Sequence, residues 1–137
     1  MLEELIKGGA AAEDLVRMLR ILSDPTRLRL IALLERGERN VSSLCKAMEV
    51  AQPTVSHHLA MLRSVKLVET RRDGKQVFYS LNPKRVTQNA PGEAPGASLA
   101  FSSGPVEFKL TNVESSRPRV PEIHTQPPTL RPVPVPH

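Results

Sequence analysis

The chain has 137 residues, one cysteine and a formal net charge of +5, which is the size of one ordinary domain. A single cysteine excludes an internal disulfide framework and suits a reducing compartment. The opening sequence MLEELIKGGAAAEDL contains acidic residues and no long apolar run, so we expect neither a signal peptide nor a membrane span. The protein is therefore expected to be cytoplasmic.

The first main element is predicted to be a helix from about Ala11 to Leu22, after an N-terminal extension of residues 1–10. Its apolar residues recur at the spacing of one helix face; they are Leu15, Met18, Leu19 and Leu22. Val16 and Ile21 lie off this stripe. The helix therefore has more apolar surface than a three-helix core covers, and we expect it to form the contact of a homodimer.

The sequence SDPTRLRLIALLERG predicts a second helix with both ends marked. Asp24 can cap its start, Pro25 suits the first helical position, and Gly37 can close it. Its predicted core residues are Leu30, Ile31, Leu33 and Leu34. A third, short helix is expected at about Ser42–Met48, and its predicted inward residues are Leu44, Ala47 and Met48.

A fourth helix is predicted from Gln52-Pro53 to about Val65. Val55, Leu59 and Leu62 fall on one side of it, so this face is expected to pack on the core. The short linker EVAQ joins the third and fourth helices, which is typical of a helix-turn-helix.

The hydrophobic period then changes from 3.6 to 2 in KLVETRRDGKQVFYSLN. Asp73-Gly74 is the strongest short hairpin signal in this segment, and as a two-residue turn it would place Arg72 opposite Lys75. Residues 60–89 carry seven basic and two acidic side chains, whereas the segments on either side each sum to zero. All the excess positive charge therefore lies in one segment, as on a surface that binds a polyanion.

Three helices that end in a helix-turn-helix, followed by a basic hairpin, form a winged helix-turn-helix. The predicted fold class is mainly α with a small β-hairpin wing, over residues 11–88. The segments LSDPTRLRLIALL and AQPTVSHHLAMLRSVKLVETRRDGKQVFYSLN resemble the ArsR/SmtB family of bacterial winged-helix repressors. That resemblance implies a dimeric, operator-binding transcriptional repressor, often released by a metal or another inducer.

The adjacent histidines His57 and His58 point about 100° apart on a helix, so they are poor co-ligands for a metal. No base, orienting group and pocket accompany them for catalysis. The N-terminal turns of a recognition helix enter the major groove, which favours DNA contacts by Gln52, Thr54, Ser56 and His57. For His58, a half-buried structural role and a phosphate contact both stay open.

The basic hairpin is either a solvated surface or a contact with the sugar–phosphate backbone or the minor groove of DNA. Its position after a recognition helix favours the contact with DNA. Arg63 near the end of that helix is open to a DNA contact or to simple solvation of the helix end. The predicted DNA-binding residues are therefore Gln52, Thr54, Ser56, His57, His58, Arg63, Arg71, Arg72, Lys75 and Gln76.

Cys45 stands beside Leu44 and Met48, where a lone cysteine is usually a small buried hydrophobe. The resemblance to the ArsR/SmtB family implies a comparison with its metal-sensing members, which carry a Cys-x-Cys pair in this helix. This chain has Ser43 in the place of the first cysteine. Thiolate metal sensing is therefore in doubt, and a redox-sensing thiol remains an alternative. We predict no metal site and no cofactor.

Residues 89–137 are predicted to be a largely disordered, Pro-rich tail, because ten of the 13 prolines lie there. The segment LAFSSGPVEFKL is the alternative, a hairpin that would be barely stable in isolation. A chain ending at Gln88 is therefore expected to keep its fold. Family members usually end in a helix that pairs with the first helix, and this chain departs from that pattern. The tail has no readable partner.

The predicted function is sequence-specific binding of an inverted-repeat operator in double-stranded DNA by a homodimeric repressor. Two rivals remain from the sequence. One is a winged-helix protein-interaction module with a Pro-rich docking tail, and the other is a metal or redox sensor of the same fold. An enzyme is not expected.

Overall fold

A computed structural model of the protein describes residues 2–89, 91–94, 96–112 and 135–136. The helices are α1 (Leu2–Lys7), α2 (Ala10–Leu22), α3 (Pro25–Glu35), α4 (Val41–Met48) and α5 (Gln52–Ser64). The strands are β1 (Arg39–Asn40), β2 (Val68–Asp73), β3 (Gln76–Leu81), β4 (Val86–Gln88), β5 (Ser98–Ser103) and β6 (Val106–Thr111). They form two antiparallel sheets with strand orders β1-β3-β2 and β4-β5-β6. Within this described part, no helix has the length and apolar character needed to cross a membrane.

The start of α3 follows from its local sequence. The Asp24 carboxylate accepts hydrogen bonds from the backbone N–H groups of Thr26 and Arg27, at 2.9 and 3.1 Å, and Pro25 occupies the first turn. These contacts satisfy donors that a helix start leaves without intrahelical partners. Both signals act as predicted.

The buried faces of the helices agree with the prediction except at three positions. Leu19 is 44% exposed and Ile21 only 6%, so the predicted stripe on α2 is wrong at these two residues. β5 contacts α2 where Asp14 accepts from Ser103, and Ile21 lies two turns along the helix on the same side as Asp14, so the buried face includes Ile21. Ala47 on α4 is exposed, also against prediction.

The helix-turn-helix is formed by α4 and α5 and is held from beneath by apolar side chains. Its fully or nearly buried members are Leu44, Met48, Val55, Leu59 and Leu62. They join residues of α2 and α3 in one core, so the apolar side of α5 is inward and its other side faces solvent.

The β2–β3 hairpin, which we call the wing, turns one residue later than predicted. Asp73 pairs with Gln76, so the two turn residues are Gly74 and Lys75, and Arg72 lies opposite Val77. Of the two turn residues only Gly74 has a positive φ, +60°, as in a type II′ turn with glycine first. The like-charge pair of Arg72 with Lys75 predicted from the sequence does not form.

The end of the folded domain differs most from the prediction. The sequence predicts this end at Gln88, but β5 and β6 continue the structure to Thr111. Phe101 is fully buried in the main core and stacks on Phe108 at 5.1 Å between ring centroids. The hairpin pairs with β4 as a third strand and packs against α2, so it is not the isolated, barely stable hairpin expected from the sequence. Residues 113–134 and 137, on which the rest of the disorder prediction falls, lie outside the described residues.

A polar cluster joins this second sheet to α2. The Asp14 carboxylate accepts hydrogen bonds from the Ser103 hydroxyl and from the Arg85 guanidinium, the latter at 2.9 Å. The hydrogen bond from Ser103 and the interaction with Arg85 hold the pKa of Asp14 below its ordinary value of 3.8.

This lowered pKa predicts an acid-dependent loss of stability. The unfolded chain binds a proton on Asp14 more readily, so its contribution is fully present above the ordinary pKa and is lost as pH falls through the folded pKa. We expect the free energy of unfolding, measured by urea titration between about pH 5 and pH 2, to fall less steeply in Asp14→Asn. Asp73→Asn at the exposed wing is the control, and identical slopes for Asp14→Asn and wild type would contradict the assignment.

Candidate nucleic-acid interface

The N-terminal half of α5 presents a polar face to solvent. Gln52, Thr54, Ser56 and His57 are all exposed, whereas Val55 between them is fully buried. The first turn contains no acidic residue, so the positive end of the helix dipole stays uncompensated there. The structure thus leaves four predicted site residues accessible to solvent along the first turns of α5.

His58 is tied to the start of α3. Its side chain is 13% exposed, and its Nδ1 accepts a hydrogen bond of 3.2 Å from Arg27 Nε. The Asp24 carboxylate lies 3.9 Å from the same nitrogen. The geometry therefore favours the structural role that the sequence left open for His58.

His57 contacts His58 edge to face, with 5.5 Å between ring centroids. The Arg27 guanidinium also donates to the Ile21 carbonyl at 3.0 Å, so it connects the end of α2 with the recognition helix. This network of contacts fixes the ring on which His57 rests. Sequence reasoning missed Arg27, because its partner His58 lies 31 positions away.

In the wing, Arg71 differs from its neighbours Arg72 and Lys75. Its guanidinium forms a two-pronged ion pair with Glu38, with 2.6 Å from Nη2 to Oε1 and 3.2 Å from Nε to Oε2, and lies 4.9 Å from the centre of the Phe78 ring. This pairing lowers the pKa of Glu38 and raises that of Arg71. Arg71 therefore fixes the wing against the segment before β1, 33 residues away.

Arg72 and Lys75 are exposed, and no ion pair of the described residues involves either of them. Two charged groups near the wing tip are thus available to an anionic partner. Both belong to the segment that carries the excess positive charge of the chain.

A groove connects the wing with the two helices of the helix-turn-helix. It is lined by Asn40, Val41, Ser42, Gln52, Lys75, Gln76 and Val77. Asn40 caps α4 by accepting from the Ser43 N–H at 2.8 Å, and its amide donates to the Gln76 side chain at 3.3 Å. Predicted residues from α5 and from the wing therefore meet at one place. Asn40 was missed, although an asparagine before a helix is an N-cap signal.

Arg63 is exposed in the last turn of α5, apart from this group. It lies about 16 Å along the helix axis from Gln52, at 1.5 Å per residue. The structure thus separates Arg63 from the other predicted contacts.

Cys45 is half-buried and packs against the main core. This surrounding matches the small-hydrophobe interpretation from the sequence. Among residues 2–89, 91–94, 96–112 and 135–136, no group of three histidine, cysteine, aspartate or glutamate side chains is placed to hold a metal ion.

Comparison with known proteins gives the family. Residues 24–70 match the family described as "Bacterial regulatory protein, arsR family". The biofilm growth-associated repressor of Xylella fastidiosa is 40% identical over 77 residues, which are 56% of this chain and 68% of that protein. The chain belongs to the arsR family. The predicted family and the predicted winged helix-turn-helix are thereby confirmed, and membership in a family of regulatory proteins agrees with the expectation that the chain is not an enzyme.

Three other relatives align with this chain over 57%, 81% and 65% of their own lengths. The transcriptional repressor SmtB homolog of Synechocystis is 44% identical over 75 residues, which are 55% of this chain and 57% of that protein. The crystal structure of the repressor BigR from Xylella fastidiosa aligns with a TM-score of 0.53 and 39% identity, covering 60% of this chain and 81% of that one. The homodimeric winged helix-turn-helix DNA-binding domain Mb0332 from Mycobacterium bovis aligns with a TM-score of 0.50 and 33% identity, covering 51% of this chain and 65% of that one.

Proposed function

We propose that this arsR-family protein is a sequence-specific repressor that binds an inverted-repeat operator as a homodimer in the cytoplasm. The observation that carries the proposal is the exposed N-terminal part of α5 beside the wing, where Arg72 and Lys75 are in no ion pair of the described residues. A recognition helix flanked by a basic wing is suited to read base edges and grip phosphates at once. The relatives named as repressors support the regulatory direction.

Within this proposal the ten predicted residues take different roles. Gln52, Thr54, Ser56 and His57 face base edges or phosphates, and Arg72 with Lys75 grips the sugar–phosphate backbone. Three others act mainly on the geometry of the site: His58 through Arg27, Arg71 through Glu38 and Gln76 through Asn40. Arg63 lies at the far end of α5, at the margin of the interface.

The test of the function is selection of bound DNA from a random pool with the full chain. The expected result is an inverted repeat whose half-sites are about one helical turn apart, roughly 34 Å. Recovery of unrelated sequences, or of none, would overturn the proposal.

The phosphate grip predicts a specific dependence on salt. Each neutralised phosphate contributes about −0.9 to the slope of log affinity against log salt. The double change Arg72→Ala and Lys75→Ala should therefore reduce the slope by about two units and weaken all DNA sequences alike. Lys84→Ala, which removes a basic residue of the same segment away from the wing, is the matched control. An unchanged slope in the double variant would remove these two residues from the interface.

Base reading by α5 predicts a different signature. His57→Ala or Thr54→Ala should reduce discrimination at particular base pairs by roughly 1–3 kcal/mol for each good contact, while the salt slope stays close to that of wild type. Affinities for a panel of single-base operator variants measure this. A uniform loss across the panel would place both residues on phosphates.

The homodimer is proposed to form through the first helices. On α2, Val16 and Leu19 are 46% and 44% exposed, and on α1 Leu5 and Ile6 are also exposed. These four residues give the N-terminal helices an uncovered apolar surface, as expected for a contact between two copies.

A further inference from the structure

The outer edge of β6 has no strand beside it among the described residues. The sheet order is β4-β5-β6, which leaves β6 at the end, with six residues and no proline inside the strand. An open strand of this kind presents unpaired backbone N–H and C=O groups and can accept another strand.

The pairing with β5 decides which backbone groups point outward. The Ser102 N–H donates to the Arg85 carbonyl and the Ser98 carbonyl accepts from Asn89, so these two residues direct their backbone groups away from β6. Alternation along an antiparallel pair then directs the backbone groups of Phe101 toward its partner Phe108. The backbone groups of Val106, Phe108 and Leu110 likewise point toward β5. The open edge is left with the backbone groups of Glu107, Lys109 and Thr111.

A second β6 can pair antiparallel with this edge only in registers that place residues with outward-facing backbone groups opposite each other. These residues are Glu107, Lys109 and Thr111. Pairing around Glu107 would oppose two glutamates, and pairing around Lys109 would oppose two lysines. With Phe108 on the two-fold axis, Glu107 of each copy lies opposite Lys109 of the other. The charge pattern thus selects one register, since opposite charges across a strand pair stabilise and like charges destabilise it.

The apolar face supports the same register. Phe108 would meet Phe108 of the second copy, and Leu110 would lie opposite Val106, in the non-hydrogen-bonded pairs where side chains approach most closely. Leu110 is 47% exposed in the single chain. The pairing therefore covers a large apolar side chain that the chain itself leaves in water.

Lys109 already contacts Glu93 on its own chain, at 2.7 Å between Nζ and Oε1. Its ammonium group has three donors, and its side chain stays partly exposed. One ammonium group can thus contact both carboxylates, from Glu93 and from Glu107 of the second copy.

We propose that β6 pairs antiparallel with β6 of a second copy of this chain, with Glu107 opposite Lys109, to give a continuous six-stranded sheet. This contact goes beyond the proposed function, which requires only the first helices in the dimer.

Mixing two charge variants of the full chain tests the pairing. E107K places lysine at both positions and K109E places glutamate at both, so each opposes like charges with itself and opposite charges with the other. Both variants also carry Val16→Lys and Leu19→Lys, which remove the first-helix contact that would otherwise pair the copies at random. One variant is labelled with ¹⁵N, and native mass spectrometry counts the dimers; pairing is expressed as the mixed population squared over the product of the two self-paired populations. We expect mixed dimers to exceed each self-paired dimer by roughly tenfold or more, against the twofold excess of random pairing.

The matched control mixes E107K with K84E, which carries the same net charge as K109E but has its change away from β6. There the mixed dimer holds one opposite-charge and one like-charge pair, the mean of the two self-paired dimers, so the population ratio keeps its random value. That result, with a strong preference in the first mixture, supports the strand contact. With the first-helix contact removed, the absence of dimers, or random pairing in both mixtures, overturns the strand contact and leaves the first-helix dimer of the unaltered chain untouched. Equal preference in both also overturns it, since overall charge would then suffice. Random pairing with the amides of Glu107 and Lys109 protected from hydrogen exchange in dilute monomer would mean that the chain's own C-terminal segment covers the edge.

Discussion

Replacing Phe101 with alanine should lower the free energy of unfolding by about 3–5 kcal/mol, the range for a large aromatic side chain removed from a core. Phe101 is fully buried among core residues of the winged helix and stacks on Phe108. Urea titration followed by circular dichroism measures the loss. Phe78→Ala on the wing, where the ring is only half-buried, is the matched control and should have a smaller effect.

The same contact changes the expectation for a chain that ends at Gln88. From the sequence such a chain should keep its fold, but in the structure it would lose Phe101 and expose Val86 and its neighbours. We now expect it to melt well below the full chain. If Phe101→Ala and the shortened chain were both as stable as wild type, the second sheet would be an appendage, and the predicted boundary would be right after all.

The double change Val16→Lys and Leu19→Lys should convert the protein to monomers and weaken operator binding by roughly 10²–10⁴-fold, the usual gain from linking two binding events. Both side chains are nearly half exposed and face away from the core. Sedimentation at micromolar concentration and a titration with operator DNA give the two readouts.

Ile21, which the sequence places with Val16 off the core stripe, is unsuitable for this test because it is buried and its change to lysine would unfold the domain. Leu28→Lys, an exposed leucine on α3, is the control. A Val16→Lys, Leu19→Lys protein that remains dimeric would place the contact elsewhere on the surface.

The parts of the fold that were predictable are those whose signals are local. Asp24 and Pro25 mark the start of α3 within two positions of each other, and Val55, Leu59 and Leu62 show the inner face of α5 by their spacing alone. The predicted DNA-facing residues of α5 followed from that face, because what is not inward on a short helix is available to a partner.

The parts that were not predictable depend on contacts between distant positions. Arg71 looked like its neighbours in the sequence, and only the fold brings Glu38 to it. Likewise, the sequence treated LAFSSGPVEFKL as a hairpin alone, since nothing in its pattern names α2 as its support. A strand's stability comes from what it packs against, which its own residues do not encode.

The hydrogen bond between Asp14 and Ser103 also bears on the order in which the molecule assembles. The two residues are 89 positions apart, so α2 cannot complete its contacts until nearly all of the described chain has been synthesised. Contacts between distant positions form slowly, because a long loop must close first. The helix-turn-helix and wing, whose partners are near in sequence, will form early, and docking of β5 on α2 will be the late step. Until then the part of α2 that contacts β5 is open to water, which makes the chain more prone to aggregation before β5 has docked.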